Sequence, residues 1–423
     1  MPSHTIIERI FMAHLRDPNE KVEPGRIVWI NIDVRSARDF GGANVVAHLD
    51  KHYPDHPVED VNKTAFTFDC NAPATTSGYA DNQQRCRIFA RKHGIKLCDV
   101  DQGIGSHLLI EQNIAQPGGT VVGTDSHMNI LGAIGGFGQG MGDQDIAFVW
   151  ANGYTWFEVP ETVKITLTGE FQFPVSAKDV TLSLAGQLGT SKVLGKAVEF
   201  YGPAIKQMSL EERITLASMA TEMGAIVALI PPDEWLKDFD GFPYDPMEYM
   251  HQAADADAQY SADLKFDVTD LPPMVARPGS PNDVVPVADV AGTKIDSAFI
   301  GSCTNGRIGD MEAAKFFLMR AAHVKEGRTL KIVPATRRVY TEMLKKGFLE
   351  IFNDVGAIVQ SPGCGGCAAG QVGITGEGEV QVSTSNRNFK GKQGKGLTYL
   401  ASPATAAASI MEGVLVDPRE VLK

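Results

Sequence analysis

Short apolar runs that stop abruptly at a polar or glycine-rich loop recur along this sequence, and that rhythm constrains the fold more than any other feature. "GRIVWINI" (25–32), "AFTF" (65–68) and "GGTVVG" (118–123) each break into such a loop, with helical stretches between them. Residues 5–15, "TIIERIFMAHL", set Ile6, Ile7, Ile10, Phe11 and Leu15 on one face of an opening helix. Runs of this kind alternating with helices predict α/β architecture, with reactive loops gathered at strand ends. Near residue 160 the text "FEVPETVKITLTGEFQFPVSAKDV" turns to β-rich alternation followed by helix, so a second unit is expected there. Residues 268–288 hold five prolines and read as a linker. Beyond it, "SAFIGSCTNGR", "LKIVPAT", "AIVQSPGC" and "EVQVSTSNRN" repeat the strand-then-loop plan. Three α/β units are expected: 1–162, 163–285 including the linker, and 286–423.

The chain has 423 residues, 43% of them hydrophobic and 21% charged, enough for two or three domains with their own cores. A formal charge of −12 argues against nucleic acid or an anionic membrane as the main partner. Every apolar run is broken well short of the ~18 residues a membrane helix needs. Glu8 and Arg9 interrupt what would be the core of a signal peptide. Six cysteines in a chain of this size fit a reducing cytoplasm, where thiols serve as ligands or nucleophiles.

Several motifs are decoys. The glycines of "GAIGGFGQGMG" (132–142) never satisfy GxGxxG, and no Gly-Lys pair is followed by Ser or Thr. His48, His52 and His56 have helical spacing, but Pro54 breaks that helix. "GTDSHMN" (123–129) sets Asp, Ser and His side by side, and three consecutive side chains cannot converge into a triad. It reads instead as a strand-end loop offering Ser126 and His127 to something else, or as a plain polar turn. In "DQGIGSHLLIEQ" (101–112) His107 stands at the mouth of a helix, as a cap or as a general acid.

Cys303 follows one expected strand, and Cys364 and Cys367 follow another, so parallel strands bring all three to one edge. Zinc would want a fourth strong ligand nearby, and none accompanies them. A dithiol redox pair would not need Cys303. Three thiolates in a glycine-rich setting suit an iron–sulfur cluster with one iron free of protein sulfur.

"GSCTNGR" (301–307), "SPGCGGC" (361–367), "TSNRNFKGKQG" (384–394), "LASPATAAAS" (400–409), "GIGSH" (103–107) and "GTDSH" (123–127) together resemble the aconitase superfamily. The likeness runs in order to the C-terminus and is greatest to the separate large subunits of the isopropylmalate dehydratase and homoaconitase type. It implies a three-domain α/β/α core around a [4Fe–4S] cluster held by Cys303, Cys364 and Cys367. It implies that the C-terminal swivelling domain, with the catalytic serine, belongs to a separate small subunit. By the same resemblance His107, Asp125, Ser126, His127 and Glu199 are catalytic. Asn386, Arg387, Lys392, Arg38 and Asp39 fall in the shell of a di- or tricarboxylate substrate.

The sequence also departs from the family. Cys70 stands where a histidine is expected, Arg38 precedes Asp39 where histidine or glutamine is usual, Lys392 replaces an arginine, and Met128 replaces a threonine. Lysine keeps the charge but loses the fork that grips a carboxylate. The implied activity is a cytoplasmic hydro-lyase, with 2-isopropylmalate to 3-isopropylmalate as the leading reaction. Homoaconitate-, citramalate-, 2,3-dimethylmalate- or maleate/malate-type acids are the alternatives. Two other classes are an aconitase-fold regulatory or binding protein and a plain dithiol oxidoreductase.

Overall fold

The computed structural model describes residues 3–189, 191–233, 253–320, 323–367 and 370–423. Its first sheet is fully parallel, in the order Lys96–Cys98, Thr64–Thr67, Val34–Arg38, Thr120–Gly123, Phe137–Gly140. A second parallel sheet runs Val227–Leu229, Ala197–Tyr201, Thr162–Thr168, Ala262–Asp267. The third has seven strands: Val284–Pro286, Met274–Ala276, Leu397–Ala401, Val380–Ser383, Ser297–Gly301, Thr329–Val333, Ile358–Val359. Its first two strands join antiparallel and the remainder are parallel. An antiparallel ribbon, Ile27–Asn31 with Tyr154–Glu158, lies apart from all three. Among the described residues no helix is long and apolar enough to cross a membrane.

The opening helix spans Ile6–His14 and buries Ile6, Ile7, Ile10 and Phe11, as its periodicity predicts. Thr5 caps it, and Glu8 completes the capping box by returning to the Thr5 backbone. The helix Gly42–His52 ends before His56, so the three spaced histidines do not share one helical face. The proline-rich stretch 268–288 differs from the expected linker. Val275 pairs with Val285 and Ala401, so two short strands of that stretch edge the third sheet. Proline is tolerated there because an edge strand leaves half its N–H groups outside the ladder.

Each sheet supports a hydrophobic cluster of its own, and a further cluster joins them. It gathers Ile104, Leu109, Met128 and Ile130 from segments around the first sheet, Leu210 and Ile214 from those around the second, and Cys303, Ala335 and Cys364 from those around the third. Gly103 makes a close backbone approach at this seam. A Cβ there would lie 2.3 Å from the Ala335 carbonyl oxygen, and φ is +106°, which only glycine adopts at little cost. The next residue, Ile104, donates its N–H to that same carbonyl at 2.8 Å.

Candidate active site

The carboxyl ends of parallel strands converge on one cavity of about 390 Å³. Arg38 closes the strand Val34–Arg38, Asp69 and Cys70 follow Thr64–Thr67, and Asp125, Ser126 and His127 follow Thr120–Gly123. From the third sheet, Cys303 follows Ser297–Gly301, Cys364 and Cys367 follow Ile358–Val359, and Asn386 and Arg387 follow Val380–Ser383. Of the residues expected from sequence, Arg38, Asp125, Ser126, His127, Cys303, Cys364, Cys367, Arg387 and Lys392 line the cavity. Cys70, Phe40 and Tyr79 line it as well.

Ser302 sets the first cysteine in place with φ +76°, a left-handed conformation rare outside glycine. Its hydroxyl lies 3.0 Å from Thr304 Oγ1, which donates to the Thr384 carbonyl and so ties this turn to the next strand end. The glycines beside Cys364 serve packing. A Cβ on Gly365 would strike the Phe299 ring at 2.7 Å, and one on Gly366 would meet Gly373 backbone at 3.0 Å.

All three cysteines are free. Burial, then neighbouring thiols, pushes Cys303 far above the usual thiol range; burial also raises Cys367, against the pull of Lys392. Buried thiols of this kind ionise together only when a cation shares the space. The three sulfurs do not all lie within 4.8 Å of one another, whereas ~2.3 Å bonds to one tetrahedral ion would hold them about 3.8 Å apart. The set therefore fits a multi-iron group better than a single ion. The tighter group Asp69–Cys70–Cys364 does fall within 4.8 Å, but a cation already serves it. Arg38 donates from Nε to Asp69 at 2.6 Å, from NH1 to Asp125 at 2.9 Å, and from NH2 to Cys364 Sγ at 2.6 Å.

The two carboxylates around this guanidinium do not ionise alike. Burial pushes Asp69 up to about 6 despite Arg38, with Asp125 and Asp39 adding to the rise. Burial would raise Asp125 too, but Arg38 and His127 more than offset it and hold that carboxyl low.

Four expected site residues sit outside the cavity lining. Asp39 is sealed, accepting from the backbone N–H groups of Asp69, Cys70 and Asn71 and from Gln83; it shapes the loop that carries Cys70 instead of touching a substrate. Asn386 lies behind Cys303, with Oδ1 3.3 Å from Cys303 Sγ and Nδ2 donating to Ser218 at 3.0 Å. His107 is sealed as well. Its Nε2 donates to the Cys303 carbonyl at 2.9 Å, leaving Nδ1 to accept from Arg307 at 3.2 Å. Burial first, then the Arg307 charge, pushes it down to about 3, so it is neutral and positions Cys303.

Glu199 is the plainest correction. It lies within the second sheet, accepting from the Ile6 N–H at 2.6 Å and from the hydroxyls of Tyr201 and Tyr260, where it anchors the opening helix. The carboxylate that does serve the cavity is Glu222. Its Oε1 lies 3.1 Å from His127 Nε2 and 2.6 Å from Arg387 Nε. Burial alone would raise Glu222, but His127 and Arg387 hold it below the usual range. The available signal was its isolation: between Arg213 and Asp233 it is the one charged residue.

The polar groups left facing the cavity are then few. Ser126 Oγ lies 3.4 Å from His127 Nδ1, while Asp125 accepts the His127 backbone N–H and not its ring, so "DSH" is no triad. Arg387 keeps its NH1 edge toward Ser126 at 3.4 Å. Lys392 has no ion-pair partner among the described residues.

A sequence model described as "Aconitase family (aconitate hydratase)" matches residues 8–293 and 288–413. The chain belongs to the aconitase family. It is 41% identical over 428 residues to the 3-isopropylmalate dehydratase large subunit 1 of Methanopyrus kandleri, covering 99% of both chains. It is also 41% identical over 400 residues to the "Probable methanogen homoaconitase large subunit" of Methanosarcina mazei, covering 92% of this chain and 99% of that one. These relatives make it an aconitase-family hydro-lyase of the large-subunit type. A solved structure, Thermococcus kodakaraensis aconitase X in its holo form, superposes with TM-score 0.51 at 13% identity. It covers 85% of this chain and 84% of that one, and shows the fold alone. The family implies an iron–sulfur cluster, and the donor set described above fits one.

Proposed function

We propose that this chain is the cluster-bearing large subunit of a two-subunit hydro-lyase, with 2-isopropylmalate to 3-isopropylmalate as its leading reaction. The supporting observation is one cavity lined by Cys303, Cys364 and Cys367 together with the cations Arg387 and Lys392. When bound, a [4Fe–4S] cluster with one iron lacking protein sulfur supplies a Lewis acid for the substrate hydroxyl.

The chain's own residues supply the rest. Lys392 and the open edge of Arg387 bind the substrate carboxylates. His127 holds a proton at Nδ1 beside Ser126, where it can pass to the departing hydroxyl, and Glu222 fixes that ring through Nε2. Arg38 gathers Asp69, Asp125 and Cys364 around its guanidinium. The base on the carbon side, a serine, comes from a separate small subunit that carries the swivelling domain. The three units 1–162, 163–285 and 286–423 form the aconitase-like core that this subunit closes.

Homoaconitate-type chemistry is the second reading, favoured by the 41% identity to the Methanosarcina mazei chain. The test is anaerobic co-expression with the small subunit, cluster reconstitution and a hydration panel of isopropylmaleate-, homoaconitate-, citraconate-, mesaconate- and maleate-type acids. Highest kcat/KM on isopropylmaleate is expected, and preference for a tricarboxylate would install the second reading. An intact cluster with no turnover on any acid would point to a regulatory protein instead.

A further inference from the structure

Four cysteines, not three, line the cavity, and the chemistry above gives Cys70 no part. The Asp69 carbonyl accepts the Cys364 backbone N–H at 2.9 Å, so the chain segments carrying Cys70 and Cys364 lie side by side. Their sulfurs fall within 4.8 Å of each other. Both are free, 7% and 6% exposed, and that exposed remainder opens onto the cavity. Neighbouring backbone with sulfurs this close leaves a disulfide within reach of small side-chain movements.

We propose that Cys70 and Cys364 form a dithiol modification site, oxidised by a small-molecule disulfide when the cavity holds no cluster, and that the resulting bond prevents cluster loading. The second half rests on reading Cys364 as a cluster ligand; the first does not. In the first step the Cys364 thiolate attacks one sulfur of the small disulfide and expels a small thiolate. In the second, the Cys70 thiolate attacks Cys364 Sγ of the mixed disulfide and expels the other. Two protein thiols become one disulfide, two electrons pass to the reagent, and its two thiolates carry away the two protons.

The experiment uses full-length metal-free protein, reduced anaerobically and then treated with glutathione disulfide. Tryptic peptides mapped without reduction should link residues 64–85, which hold Cys70, to residues 347–387, which hold Cys364 and Cys367. The link should survive Cys367→Ser and vanish in Cys364→Ser and Cys70→Ser. Oxidised wild type should fail to take up iron and sulfide until dithiothreitol is added, whereas Cys70→Ser should keep loading after the same treatment. The proposal is overturned if Cys70 stays open to alkylation while Cys364 closes on Cys367, or if oxidised wild type loads as well as reduced. Should Cys70→Ser not fold by circular dichroism, the wild-type alkylation map alone decides. Reduced wild type that takes up no cluster would instead defeat the cluster reading, with the peptide map still deciding the dithiol.

Discussion

His107 donates from Nε2 to the Cys303 carbonyl oxygen across 2.9 Å, tying a sealed imidazole to the backbone of a cavity cysteine. Its pKa lies near 3 in the fold, against 6.5 for the free side chain. Between those values the unfolded chain takes up a proton that the native chain refuses. Stability from this group is therefore present above pH 6.5 and lost as pH falls toward 3, at roughly 1.4 kcal/mol per pH unit. Asp69 and Asp310, raised to about 6 and about 7, work in the opposite sense, losing their contribution as pH rises through those values. The difference between wild type and His107→Gln isolates the histidine. Urea unfolding from pH 4 to 7 should show the variant with the flatter acid limb; equal slopes would mean that His107 is charged in the fold.

Glu222 and Glu199 separate catalysis from anchoring. Glu222→Gln leaves the shape but removes the charge that holds His127 and Arg387, so kcat should fall about 10²–10³-fold with the chain still folded. Glu199→Gln should leave kcat unchanged and lower stability by about 1–3 kcal/mol, through weakened bonds to Ile6, Tyr201 and Tyr260. Steady-state kinetics with thermal melts of both variants checks the pair; a kcat collapse in Glu199→Gln would return that residue to the active site.

The strand-then-loop text made the carboxyl-end site legible because a parallel sheet delivers all its loops to one edge, and the three cysteines are found there. Local spacing cannot show which buried carboxylate faces that edge. "AVEFYGP" and "MATEMGA" each hold one glutamate, and only the crossing of Arg387 from the third sheet picks Glu222. Asp39 and His107 sit outside the cavity lining for a related reason. Asp39 adjoins Arg38 and His107 lies three residues from Ile104, both of which line the cavity, but their hydrogen bonds turn inward to backbone, which a motif does not record. Residues 268–288 were misread because proline suppresses strand propensity in the text yet is harmless at a sheet edge.

Cluster removal should cost stability as well as activity. Cys303 is buried, Cys367 half-buried, and both thiols are raised, so binding of a cluster should be coupled to the packing of the hydrophobic cluster around them. Loaded protein is expected to melt several degrees above protein stripped with chelator and oxidant, about 3–4 kcal/mol if loading exceeds its Kd by 100- to 1,000-fold. In Cys303→Ser the brown colour and the melting increment should vanish together. A melt unchanged by stripping wild type would uncouple the cysteines from the fold.

Lys392 offers the sharpest reading of substrate charge, because it lines the cavity with no ion-pair partner among the described residues. A charge-assisted bond to one carboxylate contributes about 1.5–3 kcal/mol, so Lys392→Met should raise KM by about 10- to 150-fold. The change should fall mainly on KM, since a carboxylate is held alike before and during the reaction. Lys392→Arg should recover most of the affinity. Arg387→Lys should not behave so gently: it forfeits the Nε bond to Glu222 and the fork geometry together, so kcat and KM should both suffer. Initial rates across an ionic-strength series complete the check. KM should climb with salt in wild type and stay flatter in Lys392→Met, and parallel salt curves would remove Lys392 from the carboxylate site.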